Sequence, residues 1–163
     1  MRLQVALFGL LSAVQLILMN ATWQQATLTD SGAQLGVTGF DVAGSLTLIV
    51  FMELLTVFGV RYWRPVVARI AIGLVTALGV LILWSSSSAV FGQRHWLQSA
   101  IAIKTGIADW ESQASAVSAW SEQPALAMST WIVASLLTAW GLRAAFLKLG
   151  ARKAKLSTSD WVD

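Results

Sequence analysis

Four stretches of this chain run for about twenty residues with almost no charged side chain, close to the length a helix needs to cross the hydrocarbon of a bilayer. They occupy residues 3–22, 40–60, 66–84 and 125–147. In oil, a backbone must satisfy its own amides, so such runs are restricted to helices. The overall balance agrees: 56% of the 163 residues are hydrophobic and 12% are charged, against roughly a quarter charged in ordinary globular chains. The expected fold is therefore an all-α membrane protein, a four-transmembrane-helix bundle.

Nine of the eleven basic residues lie at three places: Arg2; the turn with Arg61, Arg64 and Arg69; and the end with Arg143, Lys148, Arg152, Lys153 and Lys155. Positive flanks stay in the cytoplasm. The expected location is thus the plasma membrane, with both termini and the middle turn cytoplasmic and residues 23–39 and 85–123 outside. Residues 1–147 form one membrane domain and 148–163 a cytoplasmic tail, whose Arg152, Lys153 and Lys155 are expected to rest on anionic lipid. The first run resembles a signal peptide in its Arg2 start, but it is long for one, and "LMNATWQ" offers no small-x-small cleavage site. The "NAT" at Asn20, set against the membrane, reads as a chance glycosylation match.

The outer segments form an expected extracytoplasmic cap. Around Asp30-Ser31-Gly32 the partly alternating flanks predict a short β-hairpin. "WSSSSAVFG" reads as a loosened helix end or linker. From His95 to Val117 an apolar stripe at spacings of three and four predicts one amphipathic helix. Its Trp96, Ile103, Ile107 and Trp110 are the candidate surface for a partner. Tryptophan is abundant, at nine residues; Trp23, Trp84, Trp63 and Trp140 fall at predicted span ends, where indole favours the headgroup region. Small residues four apart, Gly9 and Ala13, Gly73 and Ala77, Gly141 and Ala145, would permit close helix contacts.

Within the second run, Glu53 is the one charged residue of the stretch "IVFMELLTVF", about eight residues or roughly 12 Å from the cytoplasmic boundary. One reading is a neutral acid hydrogen-bonded between helices, since the neutral form loses less on burial than the anion. The other is a carboxylate linked to a proton or a substrate in a path between helices. Gln15 and Ser12 lie at comparable depth in the first run. With Trp131, the tryptophan placed away from the interfaces, they complete the candidate intramembrane site.

There is no cysteine and one histidine, so neither a thiol nucleophile nor a metal centre is expected. Asp109 and Glu111, two apart, diverge around a helix, and His95 lacks a nucleophile and an orienting acid at a fitting spacing. No enzyme, cofactor or nucleic-acid partner is expected. The expected partners are the bilayer and either a homo-oligomer or a larger membrane complex.

The span ending "MNATW", the segment "TLTDSGAQLGVTGFD", an Ala/Leu-rich second span, the basic turn from Arg64 to Arg69 and a Gly-containing third span resemble the tryptophan-operon-associated membrane proteins of actinobacteria. The resemblance covers mainly residues 5–83, and "VTGFD" is its most distinctive piece. It implies a small four-span protein, in a family with members labelled as tryptophan permeases, and hence a link to tryptophan transport or homeostasis. Glu53 departs from the family pattern, whose second span carries no acid. The alternative is an accessory subunit that docks a larger complex through its cap.

Overall fold

The computed structural model describes residues 2–92, 94–107 and 109–159, with side chains for residues 6–151 other than 93, 94, 104, 108 and 110. The chain is mostly helical: α1 (Arg2–Asn20), β1 (Thr22–Leu28), β2 (Gln34–Thr38), α2 (Gly39–Ala43), α3 (Ser45–Gly59), α4 (Pro65–Phe91), α5 (Arg94–Thr105), α6 (Trp110–Ala116), β3 (Val117–Glu122) and α7 (Pro124–Ser159). Helix α4 opens on Pro65, whose missing N–H costs nothing in a first turn, after Arg64 in extended backbone. Its end was expected near Trp84. Instead the helix winds on to Phe91, because the hydroxyls of Ser85, Ser86, Ser87 and Ser88 each donate to the carbonyl three residues back and leave the coil intact.

The second apolar run forms α2 and α3, interrupted only at Gly44, which itself keeps helical dihedrals. Thr38 opens α2 through its N–H and hydroxyl, which both donate to Asp41 Oδ2.

Helix α7 is the hub and packs on α1, α3 and α4. Its register with α4 is antiparallel: Ala145 and Leu149 share a cluster with Ala68 and Ile72, and Gly79 lies on Thr138. With α3 it is parallel, Leu137 meeting Val50 and Lys148 Nζ donating to Val57 O at 2.8 Å. Arg61, Arg64, Arg69, Arg143 and Lys148 therefore gather at the end of the helices opposite the sheet.

The expected hairpin is present as β1 and β2, with Leu35 opposite Ala26 and the turn closed by Gly32 at φ +63°, a dihedral glycine adopts without strain. The single helix expected over residues 95–117 is not. Helix α5 stops at Thr105, Gly106 takes φ +73°, and Asp109 begins the short α6 by accepting from Ser112 N and Oγ. The chain then becomes β3, which pairs antiparallel with β1 and sets the sheet order β2-β1-β3. Its residues alternate poorly between faces because an edge strand exposes most of its positions.

Sheet, α5 and the adjoining helix ends share one core, which includes Trp23, Val37, Leu97, Ile101, Met19 and Leu46. Trp23 corrects an expectation. It is not an interfacial anchor but fully buried, its Nε1 donating to Leu18 O at 2.9 Å and so satisfying a carbonyl of the last α1 turn. By contrast Trp84 is exposed.

Candidate functional site

Among the described residues, Glu53 and Gln15 are two polar side chains of the long helices that the packing leaves with unsatisfied atoms. Both are buried, at 1% and 0% exposure. Glu53 Oε2 and both amide atoms of Gln15 find no hydrogen-bond partner among the described residues. Leaving such groups dry and unpaired costs about 1–3 kcal/mol each.

Their shared depth follows from register. Met19 in α1 and Ile49 in α3 belong to one cluster; Gln15 and Glu53 each lie one turn further from the sheet, on helices that run in opposite directions and both lean on α7. Gly141 of α7 faces Glu53 so closely that a Cβ there would run into the carboxylate and the Glu53 Cβ. Glycine is what allows α3 and α7 to close with an acid between them. Of the small-residue pairs noted in the sequence, Gly141 and Ala145 are buried, whereas Gly9 and Gly73 face open space.

The other candidates, Ser12 and Trp131, are occupied, as is the hydroxyl of Thr76 on α4. Ser12 Oγ donates to Phe8 O at 2.8 Å and Thr76 Oγ1 to Ile72 O at 2.7 Å, each within its own helix. Trp131 donates from Nε1 to Leu83 O at 3.2 Å, across to α4, and its ring tilts against Phe91 with centroids 6.2 Å apart. It is a strut between α4 and α7, and its indole N–H is engaged.

On the cap, the residues of α5 that turn inward are Leu97 and Ile101, while Trp96 and Ile103 face outward, at 37% and 86% exposure. Ile107 is half-buried in the connection to α6. The side chains of Trp110, Arg152, Lys153 and Lys155 lie outside the described residues. The stripe is thus divided by the break at Gly106, a break whose only trace in the sequence is that glycine. Among the described residues, no three His, Asp or Glu side chains come together as a metal site.

No family model, curated protein or solved structure matches the chain. The fold and the site define a class: a mostly helical protein with a small sheet at one end and two helices, residues 65–91 and 124–151, long and apolar enough to cross a membrane.

Proposed function

We propose that the chain is a four-span, non-catalytic protein of the plasma membrane, with the basic end in the cytoplasm and the sheet-bearing cap outside. One observation carries this reading: the helices are apolar on the faces they do not pack. The most apolar window of α4 has mean hydropathy 2.5 with only 17% of it buried, and that of α7 is 33% buried. A core helix of a water-soluble protein is apolar because it is covered; these are apolar and uncovered. Exposed Ile17, Phe51, Leu55, Leu74, Leu81 and Phe146 extend the same belt over all four helices, far beyond the few hundred Å² of apolar patch a monomer shows to water. Lipid is the solvent that suits them. A reporter fused after Asp163 is expected to be active in the cytoplasm; activity confined to the outside would overturn the topology.

Within that frame, Glu53 and Gln15 form the site for a polar guest, either a proton or a small molecule passing between α1, α3 and α7. A carboxyl and a carboxamide together offer donors and acceptors to both ends of an amino acid, and the family resemblance makes tryptophan the molecule to test. Cells lacking the protein are expected to take up labelled tryptophan more slowly, with rescue by the wild-type chain and not by Glu53→Gln. Equal uptake across a concentration range would remove the transport reading.

A second reading, an accessory subunit, is favoured by the cap itself. It presents Ile103 and Trp120 to solvent and ends its sheet on the edge strand β3, a natural place for added pairing. Ile103→Asp should then abolish co-purification of a partner, and recovery of the chain as a pure homo-oligomer would count against it.

A further inference from the structure

The lipid-facing surface carries a groove of about 610 Å³ between α4 and α7, bordered by Arg69, Gly73, Thr76, Ala77, Val80 and Phe146. Its floor is open: a Cβ built on Gly73 meets nothing within 4 Å. Thr76 turns its hydroxyl back to Ile72 O, so the wall there is apolar. The one charge on the groove is the exposed Arg69 at its cytoplasmic end.

We propose that this groove holds one acyl chain of an anionic phospholipid of the inner leaflet, with the Arg69 guanidinium on its phosphate. The inference rests on the membrane reading above. Two dimensions fit. From Arg69 to Val80 the helix rises about 16 Å, close to the roughly 15 Å depth of one leaflet of a 30 Å hydrocarbon core. Arg69 then sits at the headgroup, where basic pockets between helices collect anionic lipid. Charge complementarity also selects the occupant. The sequence has no acid between Glu53 and Asp109 or between Glu122 and Asp160, so no acid from those stretches joins Arg61, Arg64, Arg69, Arg143 and Lys148; in the second run Glu53 is buried against Gly141 and Asp41 accepts from Thr38 at the sheet end. A second copy seated here about a two-fold axis along the membrane normal would set Arg69 against Arg69, whereas a phosphodiester neutralises it.

The test is native mass spectrometry of the full chain released from micelles holding equal phosphatidylglycerol and phosphatidylcholine of matched acyl chains. The wild-type protein is expected to retain one phosphatidylglycerol with about five-fold preference, the effect of one charge near the surface. Arg69→Gln should bring the preference close to unity, and Gly73→Leu, whose side chain enters open space, should lose both lipids. An unchanged preference in both variants would overturn the site. So would full displacement by glycerol 3-phosphate, which has no chain to seat, or a wild-type dimer that Gly73→Leu splits, which would make the occupant a second copy. A chain that stays in solution without detergent would sink the membrane reading itself, an outcome distinct from a membrane protein with no lipid preference.

Discussion

Trp23→Ala is expected to cost the sheet-bearing cap about 3–5 kcal/mol, the range for truncating a large buried aromatic, and to lower its unfolding temperature in micelles well below that of the parent. Three separate contacts are lost together. The ring fills the core shared by the sheet and the helix ends. Its Nε1 satisfies Leu18 O, and its face packs so tightly on Gly39 that a Cβ there would lie 2.6 Å from Trp23 Cζ2. Trp23→Phe should cost less, because it keeps most of the ring and abandons only the Leu18 carbonyl. Gly39→Ala should destabilise in the same direction by overpacking, about 1–3 kcal/mol. Limited proteolysis of the loops around β1 and β3 reads the cap directly. If Trp23→Ala resists protease as the parent does, the cap is not built on this residue.

The second large effect concerns the α3–α7 seam. Gly141→Leu is expected to destabilise the bundle by at least 1–3 kcal/mol, since the new side chain must displace Glu53 as well as separate two helices. Glu53→Ala combined with Gly141→Leu should recover part of that loss, with a coupling of about 0.5–3 kcal/mol between positions in contact. Glu53→Leu alone should act in the opposite sense. Removing a buried carboxyl whose Oε2 has no partner among the described residues relieves a cost of about 1–3 kcal/mol, so this variant should melt as high as the parent or higher, and under the proposed transport role it should also lose tryptophan uptake. A protein made more stable and less active by one substitution marks a polar group held in the membrane for function. Thermal unfolding in micelles, paired with uptake in cells, separates the outcomes: Glu53→Leu melting clearly lower would make the carboxyl a structural link between helices.

Glu53 and Gln15 were both legible in the sequence because a polar residue inside an apolar run is visible without any fold. Trp131 was visible as a tryptophan away from the span ends, but its donation to Leu83 on another helix could not be read along the chain. The reverse holds for Gly141. It is one of several glycines in apolar runs, and only the approach of α3 shows that a carboxyl lies over it. On the cap, the turn chemistry around Gly32 announced the hairpin, because a hairpin is local. Strand β3 was hidden: its partner β1 is some ninety residues away, and its edge position leaves it without the alternation that betrays a strand. Its Val117 falls into step with an apolar stripe whose spacing predicts helix, while the break at Gly106 depends on a left-handed dihedral that one glycine permits but does not demand.

What the sequence alone determined is one-dimensional: the number and bounds of the apolar runs, the segregation of positive charge to their ends, and the isolation of Glu53. These follow from composition along the chain, since the transfer of each residue from water to oil is settled largely by its own chemistry. The tertiary structure decided the rest: that α7 is the hub, that Trp23 is core rather than anchor, that the cap is a three-stranded sheet, and that Glu53 rests on Gly141. Each of these depends on which distant surface arrives at a residue, and packing and backbone pairing are properties of two segments, never of one.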